Sequence, residues 1–247
     1  MNEAASVRQS DAAAAPVLRI SRLRCGYGAA MVVHGVDLEI GAGEVLALLG
    51  KNGMGKSTLL KAVMGFLPLQ SGEIGLFSED VSGMPPHLLA RRAIAYSPQE
   101  QALFQDLTVE ENLKLVVRDR QVLKRGVERV GAYFSFIPQR LRQRAGTLSG
   151  GEQKMLLVAR ALLGRPRLML IDEVSEGLQP SVIGRLASVL RAERAETGCS
   201  ILLVEQNVGF ALSVADRFAV LQSGEIVETG AVGDETASQR ILLRLSV

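Results

Sequence analysis

The chain has 247 residues, 47% of them apolar and 22% charged, with a formal net charge of +2 and two cysteines. That length and apolar content suit one α/β domain with a smaller helical subdomain and a core large enough to fold unaided. The near-neutral balance lacks the basic footprint of a nucleic-acid binder. No window supplies the roughly 18 successive apolar residues of a spanning helix, and Cys25 and Cys199 have no metal-ligand spacing.

In chain order, Met1 to Pro16 is an alanine-rich polar leader with neither a cationic start nor a continuous apolar stretch, so a disordered tail is expected rather than an export signal. The folded domain then runs over residues 17–247. Strands are expected near Val17 to Cys25 and Val36 to Ile40. Glu44-Val45-Leu46-Ala47-Leu48-Leu49 reads as a buried strand, and Lys56 to Met64 as a helix. Between them stands Gly50-Lys51-Asn52-Gly53-Met54-Gly55-Lys56-Ser57, which fits the phosphate-binding loop pattern of two glycines ahead of Lys and Ser/Thr. Such a loop opens a helix N-terminus, where free backbone N–H groups and the positive end of the helix dipole meet phosphates. Lys56 would reach the β- and γ-phosphates of a nucleoside triphosphate, and Ser57 would hold Mg²⁺.

A strand is expected at Glu73 to Phe77, after which helical patterns dominate from Thr108 to Leu163. The stretch 100–147 lacks the apolar strand runs of its flanks and would form the helical subdomain. Leu148-Ser149-Gly150-Gly151-Glu152-Gln153 then precedes an apolar-periodic helix from Lys154 to Leu163. Ser149 can cap that helix, and the two glycines leave backbone N–H groups bare for an anion. Arg167 to Ile171 is an apolar strand ending in Asp172 and Glu173. Asp172 would orient the Mg²⁺ shell, and Glu173, one residue past the strand, could polarise an attacking water as general base.

Strand and helix alternate again through Val182 to Ala195, Ile201 to Val204 and Val208 to Val214. A hairpin closes the series, Phe218 to Gln222 with Glu225 to Glu228 around Ser223-Gly224. Cys199 begins the buried run 199–204, which suits a reducing cytoplasm. His34 and His87 stand alone and read as structural or surface residues. The basic stretches at Arg91-Arg92, Arg118 to Arg129 and Arg140 to Arg144 read as solvated helix faces.

From about Leu18 onward, this order of motifs resembles the ATP-binding cassette ATPases. The resemblance implies a P-loop NTPase fold of the ABC type, with residues 50–58 (including Thr58) holding ATP and with Ser57, Gln99 and Asp172 around Mg²⁺. It places Tyr27 against adenine and Gln99, in Tyr96-Ser97-Pro98-Gln99, as the lid glutamine. Ser149, Gly150 and Gly151 fall where the signature loop binds the γ-phosphate held by an opposing cassette, so a two-cassette sandwich is implied. Two positions depart from the commonest pattern. Gln206 replaces the switch histidine; it can hydrogen-bond the γ-phosphate but cannot take its proton, which leaves Glu173 as the main candidate base beside Lys56. Glu176-Gly177-Leu178-Gln179 replaces the usual Ser-Ala-Leu-Asp, and Val174 stands where proline is common.

These departures, together with Leu203-Val204-Glu205-Gln206-Asn207 and Leu107 to Leu113, look like the smaller ATP-binding subunit of branched-chain amino acid importers. Ser175 to Ser181 and the ending Leu245-Ser246-Val247 are similar to urea-importer cassettes as well, so the solute stays open between branched-chain amino acids and urea or short amides. The resemblance implies a larger sister cassette, membrane permease subunits, an indirect solute-binding protein, no nucleic acid, and a peripheral place on the cytoplasmic face of the inner membrane. It also implies that residues 101–108 face the permease, with Leu103 and Phe104 either lining a docking groove or packed within the helical subdomain. A soluble cassette ATPase acting on DNA or ribosomes is the reading from a different class. Such proteins usually carry coiled-coil insertions or two cassettes in one chain.

Overall fold

The computed structural model describes residues 15–99, 103–117 and 119–246. The leader expected over residues 1–16 therefore lies almost wholly outside the described residues, as do Gln101 and Ala102 of the expected permease-facing segment.

β1 (Leu18–Tyr27) and β2 (Ala30–Ile40) form an antiparallel pair whose register shifts around Arg22 and Gly26. Leu18, Ile20, Leu23 and Cys25 point inward while their neighbours face out, the period-2 pattern of a half-buried sheet. β3 (Val45–Leu49) is buried throughout, and α1 (Lys56–Val63) follows across six residues, 50–55, in which the glycines turn the chain. β4 (Leu69–Leu76) and β5 (Glu79–Asp80) complete a four-stranded sheet in the order β2-β1-β4-β5. A single-turn helix α2 (Pro86–Leu89) leads to β6 (Ile94–Ser97).

Helices fill the next stretch: α3 (Val109–Lys114), α4 (Arg120–Tyr133), α5 (Phe136–Gln139) and α6 (Gly150–Leu163), with a 3-10 turn at Ala145–Thr147. The chain then alternates through β7 (Leu168–Asp172), α7 (Pro180–Thr197), β8 (Ser200–Glu205), α8 (Val208–Val214), β9 (Arg217–Gln222), β10 (Glu225–Ala231) and α9 (Ala237–Ser246). A second sheet has the order β10-β9-β3-β8-β7-β6, parallel except where β10 folds back on β9.

The central strands are apolar on both faces because both are covered. Val45, Ala47, Leu49, Met169, Ile171, Ile201 and Leu203 join the core shared with α4, α6, α7 and α8. Leu46, Leu48, Leu168, Leu170, Leu202 and Val204 join the core under α1 and the four-stranded sheet. At 0% exposure for most of them, these strands are rigid supports for whatever their ends carry.

Three elements exceed the sequence expectation. β2 begins at Ala30 rather than Val36, its first half held by the end of β1 despite a half-exposed pattern and Gly35. β6 is only four residues long and pairs with β7 alone, too short to leave a periodic signature. α9 buries only Ala237 and Ile241 and is moored instead by Arg240 and Arg244, both bonded to Glu228 of β10.

Candidate functional site

The parallel strands β3, β7 and β8 end at the same edge of the sheet, so the loops after Leu49, Asp172 and Glu205 converge. α1 starts with Gly55 at φ 102° as its N-cap, with no side chain capping it and no acid in its first turn. Its positive end is thus left to a ligand anion. Gly50 is required by close approach: a Cβ there would lie 2.6 Å from the carbonyl oxygen of Leu221. The hairpin turn of β9 and β10 braces the loop from outside, Gly224 N–H donating to Met54 O at 3.1 Å.

Lys56 is 3% exposed, and its ammonium group has three acceptors: Gly50 O at 2.8 Å, Lys51 O at 2.9 Å and Glu173 Oε1 at 2.9 Å. An ammonium has three N–H bonds, so this set saturates it. Ser57 Oγ donates to Asp172 Oδ1 at 3.1 Å. Asp172, the last residue of β7, is 2% exposed, and burial pushes its carboxyl up to about 6; the Ser57 hydrogen bond opposes that shift and the Glu173 charge adds to it.

Glu173 adopts φ 46°, the left-handed region that a residue with a Cβ rarely enters. Its N–H donates to Val204 O at 2.9 Å, which fixes the turn and aims the carboxylate back over Lys56. Gln99 bridges two acids, its Nε2 donating to Glu173 Oε2 at 2.9 Å and to Glu176 Oε2 at 2.8 Å. Gln206 Nε2 donates to Asn52 Oδ1, tying the end of β8 to the phosphate loop. Asn52, Gly53, Gly55, Lys56, Ser57, Thr58, Gln99 and Glu173 line a cavity of about 310 Å³. A larger hollow of about 390 Å³ at the opposite strand ends, beside Arg165, Arg167 and Ser200, gathers no such set around a helix N-terminus.

The remaining expected residues sit further out. Tyr27 is 47% exposed at the end of β1, within reach of Lys61 of α1, whose Nζ lies 3.4 Å from its hydroxyl. Ser149, Gly150 and Gly151 open α6, where Ser149 and Glu152 form a reciprocal capping box. Ser149 and Gly150 are exposed, and α6 meets the site where Lys154 Nζ donates to Gln99 O at 3.0 Å. Leu103 is half-buried against the core, whereas Phe104 is 58% exposed.

The pairing of one carboxylate with one hydroxyl, Asp172 with Ser57, is a sparse protein ligand set. Among the described residues no group of three or more His, Cys, Asp or Glu side chains stands at metal-binding spacing. Such a set fits a hard divalent ion that brings phosphate oxygens and waters as its other ligands, as Mg²⁺ does. The glycine-rich loop beside it opens a helix N-terminus with no side-chain cap, which suits a phosphate anion.

Two residues here were not expected from the sequence. Asn112, fully buried in α3, receives Phe104 N–H at 3.0 Å and donates to Phe104 O and Thr108 O, both at 3.0 Å, shaping the loop from Phe104 to Thr108. Its one sequence signal is a polar side chain on the apolar face of the helix. Glu205, 1% exposed, accepts from Ser175. An acid ending a wholly apolar strand was legible as a site feature at Asp172 and equally so here.

A family model described as "ABC transporter" matches residues 33–176. The "High-affinity branched-chain amino acid transport ATP-binding protein BraG" of Pseudomonas aeruginosa is 40% identical over 87% of this chain and 94% of its own length. The "Lipopolysaccharide export system ATP-binding protein LptB" of Escherichia coli K12 is 33% identical over 86% and 90%. Among solved structures, a nucleotide-free ATP-binding cassette from an ABC transporter superposes with a TM-score of 0.82 at 22% identity, covering 93% of this chain and 96% of that one.

Proposed function

The chain belongs to the ABC transporter family, as an ATP-hydrolysing, nucleotide-binding subunit that works with membrane permeases, and from that premise we propose that it energises the uptake of branched-chain amino acids. The solute class rests on the Pseudomonas aeruginosa relative, whose name refers to that transport. Among the described residues no helix is long and apolar enough to cross a membrane, so the path for the solute belongs to partner chains.

The observation that carries the catalytic reading is the Lys56–Glu173 contact at 2.9 Å. With all three of its N–H bonds occupied, Lys56 can accept the γ-phosphate only by releasing a present partner. Glu173 is the partner that carries charge, and phosphate oxygens compete for the same ammonium. Its release leaves a carboxylate beside the γ-phosphate, held by Gln99 and free to take a proton from an attacking water. ATP binding and unmasking of the base are then one exchange. The phosphates lie on the N–H groups at the start of α1, and Lys56 balances the charge that develops on the γ-phosphoryl oxygens. Gln206, bonded to Asn52 of the loop, would donate to the γ-phosphate.

Ser57, Asp172 and Gln99 would hold Mg²⁺, which when bound would neutralise phosphate charge. Tyr27, half-exposed next to α1, would stack on adenine. Ser149 to Gly151 at the N-terminus of α6, of which Ser149 and Gly150 are exposed, would close on the nucleotide of an opposing cassette, and a larger sister subunit is the partner we favour. The exposed Phe104 would seat in the permease at the cytoplasmic face of the membrane.

Uptake of labelled leucine by cells lacking this chain, complemented with the native protein or with Glu173→Gln, tests the reading. Restoration by the native chain alone supports it. Leucine uptake that does not depend on the chain would move the assignment to urea, a short amide or another cargo.

A further inference from the structure

The loop that carries the proposed base hangs from β8 by two successive residues. Glu173 N–H bonds Val204 O, and two positions later Ser175 gives both its N–H and its hydroxyl to the next residue of β8, Glu205. The distances are 3.0 Å from Ser175 N to Oε1 and 2.7 Å from Ser175 Oγ to Oε2, so one carboxylate takes both donors as a fork. Burial raises the Glu205 carboxyl, and the two Ser175 donors and the Asn207 backbone oppose that shift. Glu205 is 1% exposed and Ser175 5%, which removes water as a substitute partner.

Position in the chain gives this contact its reach. Ser175 lies two residues after Glu173, whose φ of 46° needs support from outside the turn, and one residue before Glu176, which holds the Gln99 amide. Glu205 lies one residue before Gln206, which holds Asn52 of the phosphate loop. The Ser175–Glu205 fork therefore sits two residues from Glu173, next to the Glu176 that holds the Gln99 amide and next to Gln206. The two Ser175 donors, one to each oxygen, fix the direction of the carboxylate as well as satisfying it.

We propose that Glu205 is a positioning residue for ATP hydrolysis, whose buried carboxylate clamps Ser175 and so sets the aim of Glu173 and the spacing between the base and the phosphate loop. This rests on the reading of Glu173 as the base. Neither Glu205 nor Ser175 lines the phosphate cavity, so the clamp acts on turnover and leaves nucleotide affinity alone.

The test measures phosphate release and the affinity for a fluorescent ATP analogue on the purified full-length chain. Ser175→Ala and Glu205→Ala should each lower kcat by about tenfold or more while the analogue Kd stays within about threefold of native. Glu205→Gln should recover most of the loss, because its amide oxygen still accepts Ser175 N–H and its NH₂ can donate to a reoriented Ser175 hydroxyl. A loss of stability without misalignment would lower the melting temperature and the active fraction but not the rate per bound nucleotide. Should Glu205→Ala fail to fold, Ser175→Ala decides, since it deletes a single oxygen. Native kcat in Ser175→Ala, a Kd that weakens in step with kcat, or a Glu205→Gln as slow as Glu205→Ala would each overturn the proposal. Glu173→Gln run alongside separates the two levels: normal turnover there sinks the base assignment, whereas loss there with native rates in both alanine variants sinks the clamp alone.

Discussion

Lys56 Nζ and Glu173 Oε1 lie 2.9 Å apart with both side chains about 95% buried, so the proposed nucleotide-binding cation and the proposed base neutralise each other across the site. Removing either partner leaves the other charged and unpaired in low dielectric, and the two substitutions therefore differ in kind. Glu173→Gln keeps an acceptor for Lys56 and removes the basic oxygen. We expect it to bind ATP at least as tightly as the native chain and to lose about 100-fold or more in steady-state turnover. Lys56→Ala strips the phosphate contact and should weaken ATP binding itself by about tenfold or more. Equilibrium binding and phosphate release on the two variants check both halves.

Asp172 gives a pH signature for the nucleotide-free, metal-free chain. Burial raises its folded pKa to about 6 from an ordinary 3.8, so the folded state holds the proton more tightly than the unfolded state. For an acid raised in this way, stability is unaffected below about pH 4, declines between about pH 4 and 6, and stays reduced above. Asp172→Asn keeps an acceptor for the Ser57 hydroxyl and carries no ionisation. Its stability should exceed the native chain's at pH 7 by on the order of 3 kcal/mol, and the difference should vanish near pH 4. Denaturant unfolding at the two pH values reads this out, and a constant difference across them would count against the buried-carboxylate account.

Arg129 of α4 reaches across to Glu193 of α7, Nη1 to Oε2 at 2.5 Å, and also donates to Leu162 O of α6. Glu193 is fully buried, and its other oxygen has no partner among the described residues. Arg129→Leu should destabilise the fold by about 3–5 kcal/mol because the acid is left uncompensated. The double change Arg129→Leu with Glu193→Leu should recover much of that loss. Chemical denaturation of the three variants measures it, and the ATP affinity of the folded fraction should not change.

Phe104 is more than half exposed on a loop that Asn112 holds by four hydrogen bonds, an arrangement that presents an aromatic ring on a rigid base. Phe104→Asp should sharply reduce co-sedimentation with membranes that contain the permease while leaving ATP binding by the chain in solution within about twofold. Undiminished co-sedimentation would remove this face from the permease contact.

Most of the candidate site was legible because it is written in contiguous runs. Gly50 to Ser57 and Leu168 to Glu173 each follow or end an apolar strand, and the strand alone locates the candidate side chains. What stayed hidden depends on pairing between distant segments. Glu205 looks like any acid at a strand end until Ser175, thirty positions earlier, is seen to aim two donors at it. Asn112 required the fold of the preceding loop, and β6 is a strand only because β7 lies beside it. α9 has a helical pattern, yet what keeps it in place is Glu228 on another element.

The order β3-β8-β7 puts one full strand between the loop after Leu49 and the acids Asp172 and Glu173. Two inter-strand spacings, about 9.6 Å, then separate the backbones of those loops, and hydrogen-bond geometry holds that interval nearly constant. It is wide enough for one side chain from each wall and a phosphoryl group with its ion between them. The gap is a gauge cut by the sheet itself: a shorter or longer side chain at position 56 or 173 misses its mark, and no adjustment of the strands can make up the difference.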